Sequence, residues 1–220
     1  MRNYPDLDKL MPALRKEYHW GKLNEKDLHR DPMEQFARWF EEALRKKVRR
    51  PAAMTLATAG EKGFPSARTV LLKAFDRRGF VFYSDYESQK ARELAQNPMA
   101  AIVFFWPEFE RQVCITGKVE KVSKTESIRY FKSRPRDSQI AACVSHQSRF
   151  IQSRALLDRK FKEFKIRYRG KDIPRPKNWG GFRLAPRMIE FWQGRENRLN
   201  DRLRYRRLPT GRWKIERIQP

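Results

Sequence analysis

From residue 53 onward the apolar residues of this chain stop recurring every three or four positions and begin to recur every two. Segments 53–58, 66–73, 80–84, 100–106 and 111–122 read as strands, with turn signals at 60–63 and 76–79. A short helix over about 88–96 interrupts them and stops before Asn97-Pro98. Three more strand regions follow Pro174 and Pro176: 181–184, 188–193, and 198–207 paired with 213–218. Strands at such short spacing, with few helices, point to a mainly β chain of the α+β class: an antiparallel barrel carrying peripheral helices.

The helices have their own signals. Residues 1–20 carry an apolar stripe of Leu7, Leu10, Met11, Leu14 and Tyr18, and read as a loosely attached N-terminal segment ahead of one domain over 21–220. Asp31 is an N-cap, Pro32 takes the first helical position, and Glu34 can close a capping box. Met33, Phe36, Ala37, Phe40 and Leu44 would form the buried face. Ser123 with Glu126 opens a helix that must end before Pro135, and a basic helix is expected over about 148–168, with Ile151, Ala155, Leu156 and Phe164 apolar.

The chain holds 50 Lys and Arg against 26 Asp and Glu, a net charge of +24. Residues 151–220 alone hold 21 basic and 7 acidic residues. Such a field attracts anions, whether nucleic acid, acidic membrane or phosphorylated small molecules, and it equally fits a plain solvated surface. Two cysteines and three scattered histidines make neither a disulfide framework nor a zinc site. No apolar run reaches membrane-spanning length, and the sequence reads as that of a cytoplasmic protein.

Four constellations concentrate anion-binding groups. Arg68 and Lys73 bound an apolar strand, and strict alternation puts them on opposite faces. For both to serve one site, the strand must bulge or the site must wrap around its end. Tyr83-Ser84 followed by Ser88-Gln89-Lys90 joins a strand end to a helix start, where phosphate binds readily, although a serine there is often only a cap. Tyr130, Arg134, Arg136 and Ser138 cluster around Pro135, with Gln147 and Ser148 not far beyond; arginine forks match phosphate oxygens. The segment from Glu190 to Arg202 places Trp192, Arg198 and Arg202 around a Gln-Gly turn, with the two arginines on one strand face. There is no Gly-x-Gly-x-x-Gly and no P-loop, so side chains must hold any phosphate. Phosphate grips and aromatic platforms without a nucleophile are the pattern of an enzyme whose cofactor carries the chemistry.

Taken in order, RTVLLK (68–73), SRPRDSQIA (133–141) and EFWQGRxxRL (190–199) resemble the pyridoxine/pyridoxamine 5′-phosphate oxidase family, over nearly the whole chain. The resemblance implies a Greek-key, FMN-binding split β-barrel working as a homodimer, with FMN at the subunit interface. By motif, Arg68, Thr69, Val70, Leu71, Leu72, Lys73, Tyr83, Ser84, Gln89, Lys90, Gln112, Gln147, Ser148, Trp192 and Arg202 would contact FMN. Lys73, Tyr130, Arg134 and Ser138 would hold the substrate phosphate, Arg198 and Asn200 would sit over the pyridine ring, and Arg15 and Tyr18 would approach the substrate from the N-terminal segment. The implied reaction oxidises pyridoxamine or pyridoxine 5′-phosphate with oxygen, giving pyridoxal 5′-phosphate and hydrogen peroxide. Two positions depart from the family pattern: Gln89 stands for an arginine and Asn200 for a histidine. A family member with impaired turnover that merely binds FMN or pyridoxal phosphate is the alternative, and a basic nucleic-acid-binding protein a more remote one; the resemblance implies neither a specific nucleic acid nor a membrane partner.

Overall fold

Strand β1 (Ala53–Ala59) buries alternate residues, Met54, Leu56 and Thr58, as a period of two requires. It pairs antiparallel with β2 (Pro65–Leu71), setting Arg68 opposite Leu56 and Ser66 opposite Thr58 on the same face. The computed structural model describes residues 21–220. Further strands are β3 (Ala74–Asp76), β4 (Gly79–Asp85), β5 (Met99–Trp106), β6 (Arg111–Lys121) and β7 (Trp179–Gln193), followed by β8 (Asp201–Arg207) and β9 (Trp213–Arg217). Their order is β2-β1-β5-β6-β7-β4-β3, with β8 joining β7 to β9. The helices are α1 (Pro32–Arg45), α2 (Gln89–Gln96), α3 (Lys124–Ser133), α4 (Arg136–Val144) and α5 (Arg154–Arg167). Among the described residues no helix is long and apolar enough to cross a membrane.

The chain divides into two compact units, residues 21–48, 105–113 and 190–220 in one and 49–104 and 114–189 in the other. In the second unit β4 is buried almost throughout and Phe82 stacks on Phe182 at 5.4 Å, with Leu56, Ile102, Ile115 and Leu184 fully enclosed. Each such side chain contributes about 1.5–3 kcal/mol. The β3–β4 hairpin needs Gly79: its φ is +131° and a Cβ would stand 1.9 Å from the Leu184 carbonyl oxygen. In the first unit α1 inserts Trp39 edge-on against Phe191 at 5.1 Å and sets Phe36 against Trp106 at 6.3 Å, while the Tyr205 hydroxyl donates to the His29 carbonyl at 2.6 Å.

Several expectations are corrected. The buried stripe of α1 is Met33, Phe36, Trp39 and Ala43; it rotates to take in Trp39 and leaves Leu44 52% exposed. Asp31 caps the Met33 amide, but its own N–H goes to His29 Nδ1, so Glu34 closes no capping box. The strand expected over 66–73 ends at Leu71, because Leu72 turns inward and the Lys73 amide crosses to the Val81 carbonyl at 2.9 Å. The strands expected at 181–184 and 188–193 are one strand, running through Pro186. Arg136 and Ser138, expected to cluster around Pro135, lie in the first turn of a helix, α4, that the sequence reading did not mark. The basic helix begins only at Arg154, capped by Ser153, and buries no residue; Ile151 lies outside it. Arg198 is not in a strand: Asn197 and Arg198 adopt φ of +55° and +60° in a 3-10 turn, so Arg198 and Arg202 do not share a strand face.

Candidate functional site

Arg68, Thr69, Val70, Leu71 and Lys73 from β2 and its end, Tyr83 and Ser84 from β4, Lys90 from α2, and Gln147 line one cleft of about 280 Å³. The break after Leu71 resolves the alternation problem. The cleft wraps around the end of β2, so Arg68 and Lys73 both reach it, while Leu72 is buried and does not line it.

Lys90 is the unusual group in the cleft. It is only 9% exposed, and its ammonium bonds to two neutral partners, Ser84 Oγ at 3.1 Å and Gln147 Oε1 at 3.0 Å. Burial first, then the charge of Arg68, pushes its pKa down. A buried cation bonded only to neutral oxygens is a site that favours an anion. Ser84 and Gln147 also bond each other at 3.0 Å, and Asp85 fixes the Gln147 amide at 3.2 Å. Ser88 does not cap α2 with its side chain; its hydroxyl goes to the Asp85 carbonyl, and the Gln89 amide is taken by Ser148 Oγ at 3.2 Å.

Arg68 is held in a second cluster. Its guanidinium reaches the Leu56 carbonyl, Thr58 Oγ1, Ser66 Oγ and Glu93, the last at 3.3 Å. Burial pushes the Glu93 carboxyl up, but hydrogen bonds from Thr58, Ser66 and Gln89 and the charge of Arg68 outweigh it and hold the group at about 2. A folded-state pKa below the unfolded value means stability present above the unfolded pKa and lost as pH falls through the folded one. Glu93→Gln is therefore expected to lower stability by about 1–2 kcal/mol at pH 7. Urea unfolding should show that difference shrinking from about pH 4.5 down to about pH 2.

Beside the cleft lies an aromatic stack. Tyr83 and Tyr130 stack at 3.9 Å, and Trp179 continues the stack 5.4 Å from Tyr83. Gly181 permits it, since a Cβ there would come within 2.8 Å of the Tyr83 ring. Burial raises the pKa of Tyr130 and pushes Tyr83 up to about 12, so both phenols stay protonated and can donate. Arg134 lies over Trp179 at 4.6 Å and over Phe131 at 5.8 Å. Its Nη1 is buried with no hydrogen-bond partner among the described residues. An orphaned guanidinium nitrogen over Trp179, the ring on which Tyr83 and Tyr130 stack, is a donor that a phosphate ester satisfies. Ser138 sits half-buried in the first turn of α4, and Arg136 turns away to the carbonyls of Tyr168 and Lys171.

The remaining expected residues belong to the first unit. Gln112 is half-buried on β6 and Trp192 half-buried on β7. Arg198 is exposed on its 3-10 turn. Asn200 Oδ1 accepts the Arg195 amide at 3.0 Å, which leaves its NH2 as the group to offer. Arg202 forms a two-point pair with buried Glu190 at 2.8 and 3.1 Å. Asp201, held low despite burial by the Leu23 amide, Arg217 and Arg195, anchors the same turn. Arg15 and Tyr18 lie outside the described residues.

Sequence reasoning missed Glu93, Trp179, Glu190 and Asp85. Only Glu93 had a local signal, its position four residues after Gln89 on one helix face. The others meet their partners across long stretches of chain.

Residues 40–168 match the family described as pyridoxamine 5′-phosphate oxidase, and residues 179–220 match the pyridoxine 5′-phosphate oxidase C-terminal dimerisation region. The pyridoxine/pyridoxamine 5′-phosphate oxidase of Nostoc punctiforme is 53% identical over 97% of this chain and 100% of its own length. The protein of that name from Rubrobacter xylanophilus is 51% identical over 96% of each chain. The crystal structure of PhzG from Burkholderia lata 383, in complex with tetrahydrophenazine-1-carboxylic acid, aligns with a TM-score of 0.85 at 31% identity, covering 90% of this chain and 98% of that one. A pyridoxamine 5′-phosphate oxidase-related, FMN-binding protein from Nostoc punctiforme shares the fold, with a TM-score of 0.68 at 19% identity, covering 84% of this chain and 97% of that one. The fold is thus the split-barrel class expected from the motifs, and the chain belongs to the pyridoxine/pyridoxamine 5′-phosphate oxidase family of oxidoreductases.

Proposed function

We propose that this protein oxidises pyridoxamine 5′-phosphate and pyridoxine 5′-phosphate to pyridoxal 5′-phosphate, with FMN as cofactor, oxygen as oxidant and hydrogen peroxide as by-product; with the amine, water supplies the aldehyde oxygen and ammonia leaves. The observation that carries this reading is Arg134, whose stacked guanidinium keeps a buried, unpartnered Nη1 beside the Tyr83–Tyr130 stack. Lys73, Tyr130, Arg134 and Ser138 anchor the substrate phosphate. Lys90, Ser84 and Gln147 supply charge and hydrogen bonds to FMN, together with Arg68 through Leu71, Lys73, Tyr83, Gln89 and Ser148, while buried Leu72 only supports the turn. When bound, FMN accepts the hydride equivalent leaving the C4′ carbon of the substrate and passes the electrons to oxygen. Gln112, Trp192 and Arg202 are taken as further FMN contacts, Arg198 and Asn200 as the groups that orient the pyridine ring, and Arg15 and Tyr18 as contacts of the N-terminal segment with substrate. The match of residues 179–220 to a dimerisation region supports a homodimer, and the two free cysteines fit a cytoplasmic setting. The purified protein is expected to be yellow and to form pyridoxal phosphate and peroxide in equal amounts from pyridoxamine phosphate. Colourless protein that cannot be reconstituted with FMN would overturn the reading.

Asn200 sharpens it. Its oxygen is committed to the Arg195 amide, so it orients substrate through its NH2 and takes up no proton near neutral pH. The wild-type rate is therefore expected to show no break near pH 6.5 from this position. Asn200→His should introduce a limb that rises with pH through about 6.5, as the imidazole loses its proton. A pH–rate profile of kcat for both proteins checks this, and identical profiles would contradict it.

A further inference from the structure

We infer that Glu93 sets the affinity of the cleft for FMN by holding back the charge of Arg68, so that this protein binds the cofactor more weakly than its cationic side chains permit. The inference rests on the FMN reading above.

The geometry is that of a closed cluster. Four N–H bonds of Arg68 are spent inside the chain, on the Leu56 carbonyl, Thr58, Ser66 and Glu93. Thr58 and Ser66 each accept from the guanidinium and donate onward to the Glu93 carboxylate, at 2.5 Å and at 2.7–2.8 Å. Both charged partners are largely enclosed, with side-chain exposures of 20% and 14%. An anion entering the cleft therefore meets Arg68 as one half of an ion pair, with most of its fork already used. Of the cationic side chains lining this cleft, Lys90 is the buried one that bonds to no carboxylate. Gln89 reinforces the arrangement, because its amide donates to Glu93 Oε1 at 2.8 Å and brings no charge of its own.

The cluster also shows why an isosteric change should spare its shape. A glutamine at position 93 with its carbonyl oxygen in the place of Oε2 keeps the bonds from Thr58, Ser66 and Arg68. Its NH2 then faces Gln89, whose amide can flip to accept. Geometry survives and one negative charge is removed, so a phosphate dianion gains. In a water-rich cleft, removing one negative charge that faces a dianion is worth roughly fivefold in affinity.

The test is FMN binding to the apoprotein, read by quenching of flavin fluorescence across a salt series, for wild type, Glu93→Gln and Lys90→Ala. Glu93→Gln is expected to bind FMN roughly fivefold more tightly than wild type at low salt, with the gap closing as salt screens it. Equal or weaker binding would overturn the inference and make Glu93 a purely structural post for Arg68. A circular dichroism spectrum confirms that the variant is folded. Should it not fold, Glu93→Ala, which removes the same charge with a good helix former and leaves Thr58 and Ser66 bonded to Arg68, must tighten binding as well, and failure to do so overturns the inference. Lys90→Ala separates the two levels. If it binds FMN as tightly as wild type, the cleft is not the FMN site and the underlying reading falls, whatever Glu93→Gln does.

Discussion

A Lys90→Met variant is expected to purify without FMN and to bind added FMN roughly 100-fold more weakly than wild type. Methionine fills a similar volume, and Ser84 and Gln147 keep their mutual bond at 3.0 Å, so the floor of the cleft should persist. What disappears is a buried ammonium that bonds only to neutral oxygens. Burial already lowers the pKa of Lys90, so its charge is held at a cost in the apoprotein. Thermal unfolding of the apo variant should therefore match or exceed that of apo wild type while FMN affinity collapses. A variant that loses stability and affinity together would instead place Lys90 in the fold rather than in cofactor binding.

An Arg134→Met variant is expected to lower kcat/KM for pyridoxamine 5′-phosphate by roughly 100- to 1000-fold, with FMN affinity unchanged. The phosphate loses a fork that meets two oxygens at once. Arg134→Lys should recover only part of the loss, since a lysine keeps the charge but neither forks nor stacks flat on Trp179. The apoprotein should hardly notice the change to methionine. The lost cation–π contact is offset by removal of a buried nitrogen that has no partner. Steady-state kinetics of the FMN-loaded variants, with flavin content measured beside them, separates this outcome from general damage to the site.

The β elements were legible because one-sided burial writes itself into the sequence: β1 alternates as its burial does. Where a local rule competes with a tertiary one, the sequence misleads. Pro186 signals a break, yet β7 passes through it buried. Leu72 continues an apolar run but turns inward, and that turn is what brings Lys73 round to the side of Arg68. The left-handed pair Asn197–Arg198 has no glycine to announce it. The site was legible in its cations and hydroxyls, since phosphate recognition needs those types in short runs. Their counterparts were not. Glu93 meets Ser66 and Thr58 across 27 and 35 residues, and Trp179 reaches Tyr83 only through strand pairing between β4 and β7. Those partners decide which cations are available to a ligand and which are already spent. Arg202, for instance, stands in a ligand-like row by sequence and is doubly paired to Glu190 by structure, so it meets a ligand as one half of an ion pair.

The FMN-loaded protein is expected to take reducing equivalents directly from the phosphorylated vitamer. Anaerobic mixing with pyridoxamine 5′-phosphate in a stopped-flow instrument tests it most directly. The flavin absorption should bleach in a single phase that saturates with substrate concentration, and admitting air should restore the colour with one pyridoxal phosphate formed per flavin. Flavin that stays bound and oxidised while pyridoxamine 5′-phosphate occupies the site would contradict the account.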